Sequence, residues 1–307
     1  MKLIRSIRSP HLPKAGCALT IGNFDAVHLG HQQILSTLKN RADALDLPVV
    51  VMTFDPHPEE YFLKHKSSPR ITDRATRYFA LRNEGVDVML LLRFDKPLAQ
   101  TSAEEFIAEY LIGALKVKHL LIGDDFHFGR NRAGNFSVLK EFATEGQFSV
   151  EDTATILDGG ERISSTRVRQ LLEQGDLTAA ERLLGRRYNL VGRVIRGQQL
   201  GRQWGFPTLN LAVNHKPVVT GVFAVEVKGL NGEAVAGVAN LGTRPTVDGL
   251  RTLLEVHLFD FDRSIYGERV CVEFVHKIRD EKKFDSFEAL KAQIKKDAES
   301  ARGLLSP

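Results

Sequence analysis

One eleven-residue run, Gly22-Asn23-Phe24-Asp25-Ala26-Val27-His28-Leu29-Gly30-His31-Gln32, constrains this chain more than any other feature. It follows an apolar stretch, Cys17–Ile21, that reads as a short buried strand. It leads into Ile34, Leu35, Leu38, Ala42 and Leu45, which recur at helical spacing. A strand, a Gly/Asn turn and a helix start make an anion-binding geometry. The first N–H groups of a helix lack intrahelical partners, and its dipole adds partial positive charge there. His28 and His31 are three residues apart and share a face where that turn is helical. Imidazoles so placed donate to phosphate oxygens as charge builds on them. Gly30 between them lets a nucleotide approach the backbone. An isolated His-x-Gly-His is also a frequent accident of a polar helix start. The strand and turn standing in order before it favour the site.

The chain has 307 residues, enough for two domains with real cores. No apolar stretch reaches membrane-span length, and the basic Met1–Pro10 segment has no apolar core or cleavage pattern. Net charge is +4 and the isoelectric point is near 9.0. Lys and Arg are spread without a basic block or RNA-binding signature, so small-molecule substrates are expected rather than nucleic acid or membrane. Cys17 and Cys271 lie in separate strand-like runs and read as buried thiols, which suits the cytoplasm. The oligomeric state stays open between a monomer and a transient oligomer.

Two periodicities divide the chain. Up to about Leu184, short continuous Val/Leu/Ile strands (Pro48–Phe54, Val86–Phe94, His119–Gly123) alternate with amphipathic helices. One of these helices is Thr101–Leu115, with Ser102 and Glu105 at capping-box spacing. Two short helices, Thr166–Leu172 and Leu177–Leu184, hinge at Gly175-Asp176. This predicts a Rossmann-like, doubly wound α/β domain over 1–185. Beyond it, Val222–Val227 and Ala234–Ala239 flank Leu230-Asn231-Gly232 as a hairpin. Leu253–Phe259 and Arg269–Val275 alternate at period two. An all-β antiparallel barrel over 186–307 is expected, closed by a terminal helix that Asp285 and Glu288 cap, with Phe287, Leu290, Ile294, Ala298 and Ala301 as its stripe.

Three further segments suit the opening motif. Thr53-Phe54-Asp55-Pro56-His57-Pro58 and Gly123-Asp124-Asp125-Phe126-His127-Phe128 each follow a strand, where an open α/β sheet places its ligands. Arg162–Arg169 sets hydroxyls and guanidiniums at a helix start, where Ser165 and Thr166 either cap the helix or bind phosphate. Attack on an α-phosphate with pyrophosphate leaving needs positioning and charge neutralisation more than a protein nucleophile. Gly22–Gln32 with Ile163–Arg169 resembles the adenylyltransferase module of the bacterial bifunctional riboflavin kinase/FAD synthetase family. The resemblance covers essentially the whole chain. It implies ATP with riboflavin, FMN and FAD as substrates or products, and Mg2+. His28 and His31 would then steady ATP, and Gly22, Asn23, Phe24, Asp25 and Gly30 would form the loop around it. Ser165, Thr166 and Arg169 would bind the pyrophosphate portion. Phe54, Pro56, His57, Pro58, Asp125 and Phe128 would line the flavin. Asp125 stands where the family often has Asn, and Ala26 where it usually has Gly. Alanine disfavours positive φ, so either the backbone at Ala26 is ordinary or the loop is shifted.

In the second half, Gly192–Gly197 leads to Gly201-Arg202-Gln203-Trp204-Gly205-Phe206-Pro207-Thr208-Leu209-Asn210. A strand entering a Gly/Arg loop offers backbone N–H groups to phosphate. Thr208 and Asn210 present oxygens from alternate residues of one extended segment, as a hard cation requires. Taken alone, Phe206-Pro207-Thr208-Leu209-Asn210 is more often a structural turn. The family's kinase motif resembles it, apart from Leu209 in place of Ala. Glu255 interrupts an apolar strand and is either a general base or the cross-strand partner of a cation. The resemblance implies the base. Gly201, Arg202, Gly205, Phe206, Pro207 and Arg279 would belong to the kinase's ATP and flavin loops, although Arg279 lies in a charged run that needs no function. Two other readings compete: an adenylyltransferase whose barrel only senses flavin, and an RNA- or flavin-responsive binding module.

Overall fold

The computed structural model describes residues 1–144, 148–153, 155–197, 201, 205–213, 215–230, 232–246 and 249–306. They form two compact units, 1–68 with 77–164 and 69–76 with 165–307.

The first unit is built on β1 (Lys2–Ile4), β2 (Cys17–Ile21), β3 (Val49–Asp55), β4 (Val88–Arg93), β5 (Val117–Gly123) and β6 (Ser149–Thr153). They form one sheet in the order β1-β4-β3-β2-β5-β6, with every pairing parallel, and β7 (Leu157–Asp158) pairs antiparallel with β8 (Glu161–Arg162) in a separate ribbon. Strand β2 is buried along its whole length, which is why it reads as a continuous apolar run. Its residues alternate between two cores. Ala18 faces Leu35, Leu38 and Ala42 of α1 (Leu29–Ala44), while Cys17, Leu19 and Ile21 face Phe106, Ile107 and Leu111. The predicted Thr101–Leu115 helix begins with the expected capping box. Ser102 Oγ accepts from the Glu105 N–H and Glu105 accepts from the Ser102 N–H. From Phe106 to Ala114 it runs as a π-helix, closing with a Leu115 N–H to Tyr110 C=O bond of 3.1 Å.

The second unit carries β9 (Asn189–Arg193), β10 (Leu209–Val213), β11 (Gly221–Lys228), β12 (Val235–Thr246), β13 (Gly249–Leu258) and β14 (Arg269–Arg279). Their order is β10-β13-β12-β11-β14-β9, all antiparallel. An antiparallel bridge between Ile195 and Asn210 nearly closes the sheet into the expected barrel. The two helices hinged at Gly175 are Ser165–Gln174 and Leu177–Leu184. Segment 69–76 belongs with this unit through hydrogen bonds from Tyr188 Oη to the Ile71 carbonyl and from the Val191 N–H to Thr76 Oγ1. The terminal helix, Phe287–Leu305, buries Ala298 and Ala301 against Val222, Ala224 and Val238. Its N-cap is Ser286, whose hydroxyl accepts from the Ala289 N–H at 3.1 Å, in place of the expected Asp285. A serine directly before the first helical residue reaches that N–H, and the residue one position earlier does not. Asn231 of the predicted hairpin turn lies outside the described residues.

Candidate active sites

In the first unit the connections reverse direction between β2 and β5, so the crevice opens beyond the carboxyl ends of these strands. The Gly22 loop leaves β2 there and the Asp124-Asp125 turn leaves β5. His28 is the N-cap of α1 rather than a helical residue. Its Nδ1 accepts from the His31 N–H at 3.3 Å, so a neutral ring carries its proton on Nε2 and presents a donor there. One first-turn N–H expected for phosphate is thereby used as a cap. The two imidazoles nevertheless stack, with centroids 3.8 Å apart and planes 17° apart, and Phe24 leans on His31 at 4.8 Å. No acidic side chain occupies the first turn of α1, so its dipole favours an anion. A Cβ on Gly30 would lie 3.1 Å from two atoms of the His28 ring, so the glycine makes room for the imidazole.

Ala26 keeps a glycine-like backbone, with φ +79 and no exposed surface. The ordinary backbone conformation anticipated for an alanine is not adopted. Phe24 and Val27 are also left-handed, at φ +48 and +46.

The Asp55-Pro56 peptide is cis, and His57 beyond it is buried. Its Nε2 lies 2.6 Å from Arg77 Nη1, which also donates to the Asn23 carbonyl at 2.9 Å. Phe54 meets Phe94 edge-on at 5.7 Å. Asp125 is exposed and shares Arg162 with Asp124, at 3.1 and 3.2 Å. The Thr155 hydroxyl and then Arg162 hold the Asp124 carboxyl below the ordinary aspartate range. Phe128 is buried, tilted against Phe106 and stacked on Phe126, over a Gly134 that has no room for a side chain.

In the second unit, Ser165 opens its helix, Thr166 is exposed, and Arg169 Nε donates to the Pro69 carbonyl at 2.8 Å. Strand register sets the rest. Glu255 on β13 stands between Asn210 on β10 and Asn240 on β12, Asn240 pairs with Val222, and Val222 pairs with Arg279. Directly paired residues share a face, so one transverse row carries Asn210, Glu255, Asn240 and Arg279. Asn210 is buried, its Nδ2 donates to the Thr208 carbonyl at 3.3 Å, and a Cβ on Gly197 would fall 2.6 Å from that nitrogen. His257 Nδ1 donates to the Pro207 carbonyl at 2.9 Å, and Phe206 packs on the cluster under the terminal helix. The Phe206 N–H bonds to the Gly201 carbonyl, and Gly205 takes φ +85. Arg202 lies outside the described residues. Arg279 grips Asp297 of the terminal helix through Nε and Nη2, the latter at 2.7 Å. Among the described residues no cluster of three or more His, Cys, Asp or Glu is placed to hold a metal.

Asn240, His257 and Arg77 were not singled out from the sequence. Asn240 breaks the apolar run Gly237–Leu241 as Glu255 breaks its own, and that signal was available. Arg77 has no comparable signal, because arginines on helices are mostly exposed.

Residues 11–167 match the FAD synthetase family and residues 184–305 the riboflavin kinase family. Proteins named bifunctional riboflavin kinase/FMN adenylyltransferase from Haemophilus influenzae and Escherichia coli K12 are 47% and 46% identical, covering 100% of both chains in each case. One of that name from Pseudomonas fluorescens is 43% identical over 100% of this chain and 99% of its own. A crystal structure named a macrolide-efflux protein, from Streptococcus pneumoniae, superposes with a TM-score of 0.76 at 32% identity over 98% of each chain. Among the described residues here, no helix is long and apolar enough to cross a membrane. Identity of this extent along the full length, with each half matching its own module, makes the chain a member of the bifunctional riboflavin kinase/FMN adenylyltransferase family.

Proposed function

We infer that the chain runs two ATP-dependent steps in succession, with residues 186–307 phosphorylating riboflavin and residues 1–185 adenylylating the FMN so formed. The observation that carries this reading is that each family match falls on its own polar constellation, the His28–His31 stack in one and the Asn210–Glu255–Asn240 row in the other. In the first step the ribityl 5′-hydroxyl attacks the γ-phosphorus of ATP. Glu255 accepts the hydroxyl proton and ADP leaves. In the second, a phosphate oxygen of FMN attacks the α-phosphorus of a second ATP and pyrophosphate leaves. His28 Nε2–H and His31 stabilise the charge gathering on the phosphates. Gly22, Asn23, Phe24, Asp25 and Gly30 shape the ATP loop, and Ser165, Thr166 and Arg169 hold the departing pyrophosphate. Phe54, Pro56, His57, Pro58, Asp125 and Phe128 receive the flavin. Gly201, Arg202, Gly205, Phe206 and Pro207 cover the kinase substrates, with Arg279 securing the adjoining terminal helix.

The Thr208 hydroxyl and the Asn210 carbonyl oxygen form a neutral oxygen pair, and the Asn210 amide nitrogen is already engaged elsewhere. That donor set fits Mg2+, whose remaining ligands would be phosphate oxygens and water. Bound there, the ion would neutralise charge on the transferring phosphates. A cytoplasmic location fits an enzyme that consumes ATP twice and carries two free thiols.

Single substitutions test the division. His28→Ala is expected to abolish FAD formation while FMN accumulates from riboflavin and Mg-ATP. Glu255→Ala is expected to stop FMN formation yet leave added FMN convertible to FAD. Loss of both activities from either substitution in a folded protein would overturn the assignment.

A further inference from the structure

We propose that Arg77 is a positioning residue for adenylyl transfer, acting through the Asn23 peptide and the His57 ring. Arg77 lies on the helix Arg74–Asn83 and has no exposed surface, although a guanidinium is costly to bury without partners. Its Nη1 reaches the Asn23 carbonyl at 2.9 Å and His57 Nε2 at 2.6 Å. Thr53, buried within β3, donates its hydroxyl to the same carbonyl at 3.2 Å. Two donors on one carbonyl fix the plane of the Asn23–Phe24 peptide. Because that peptide is planar, the Phe24 N–H is fixed in the opposite direction, away from the guanidinium. It is thus held as a donor within the loop that carries Asp25 and His28.

The second contact ties the same guanidinium to the His57 ring, 2.6 Å from Nε2. One cation therefore couples the loop after β2 to the loop after β3. Both loops leave the carboxyl ends of neighbouring parallel strands. Arg77 itself touches no reacting atom in this arrangement, so its effect belongs to orientation, which catalysis by positioning makes expensive to lose.

The inference rests on reading Gly22–Gln32 as the adenylyl-transfer loop. The full-length protein tests it, because riboflavin phosphorylation reports folding in the same molecule. Arg77→Met is expected to lower kcat for FAD formation from FMN roughly 30-fold while KM for ATP stays within about twofold. Riboflavin phosphorylation should stay within about twofold. Arg77→Lys, which supplies a single donor nitrogen on a flexible stem, should recover about a third of the lost rate on a logarithmic scale. Thr53→Val, close in shape, should cost about threefold in the same kcat and keeps the test open if Arg77→Met does not fold. The proposal is overturned by an unchanged kcat in Arg77→Met or by parallel loss of both activities. If His28→Ala leaves FAD formation intact, the reading of the loop itself fails. If His28→Ala abolishes it and Arg77→Met does not lower it, only the role of Arg77 fails.

Discussion

Ala26 bears a cost that a glycine would avoid. An L-residue in the left-handed region loses about 1–2 kcal/mol, and a glycine gives back roughly half of that in unfolded-chain entropy. Ala26→Gly is therefore expected to stabilise the protein by about 0.5–1 kcal/mol, read as a higher urea midpoint at unchanged slope. A lower midpoint would show that the buried methyl matters more than the dihedral. His119 is a second residue whose state depends on its surroundings. Burial disfavours its charged form, the Glu151 carboxylate opposes that effect and Arg41 adds to it, leaving the ring's pKa below the ordinary 6.5. The unfolded chain then binds a proton that the folded chain resists. This stability is fully present above pH 6.5 and is lost as the pH falls through that value toward the lower folded one. His119→Asn, which keeps a donor toward Ser149, should flatten the loss measured by denaturation at pH 7.5 and 5.5. At this scale the sequence was legible where polar residues interrupt apolar ones, as at Glu255. It was silent on Arg77, whose burial depends on partners 20 and 54 positions away.

Among the elements, the parallel strands were the most readable part of the chain. Cys17–Ile21 came out with its predicted ends, because a fully buried strand bounded by Gly16 and Gly22 leaves little freedom. The π-helical stretch was not readable, since its apolar pattern serves an α-helix equally well. The row on β10, β13 and β12 was half legible. Thr208, Asn210 and Glu255 each stood out, yet only strand pairing shows that Glu255 faces two asparagines. That row also has a tight wall. Gly197→Ala would drive a methyl into the Asn210 amide. It should lower riboflavin phosphorylation at least tenfold and leave conversion of added FMN to FAD unchanged. Equal loss of the two rates would show that Gly197 does nothing specific to the kinase row.

For the whole molecule, two consecutive activities on one chain predict an order of products. With riboflavin and Mg-ATP, FMN should rise first and FAD should follow with a lag, and the lag should vanish when FMN is supplied. FAD appearing without a lag and without detectable FMN would contradict independent sequential steps. The thiols should report integrity. Burial raises the Cys17 thiol to about 12, and burial with Glu273 nearby raises Cys271 to about 11. Neither should react readily with a thiol reagent at pH 8 until the chain unfolds. The division into an α/β half and an all-β half was plain from periodicity alone. The grouping of segment 69–76 with the second unit was not, because it rests on hydrogen bonds such as Tyr188 to Ile71 that leave no local pattern.

The transverse row on β13 has a consequence for how this chain can change length. Side chains alternate along a strand, so inserting or deleting a single residue between Leu253 and Val256 would turn Glu255 to the opposite face, away from Asn210 and Asn240 together. Length changes in the turns beyond the strand ends leave the alternation alone. Odd-numbered indels inside β13 therefore remove the carboxylate from both neighbours in a single event.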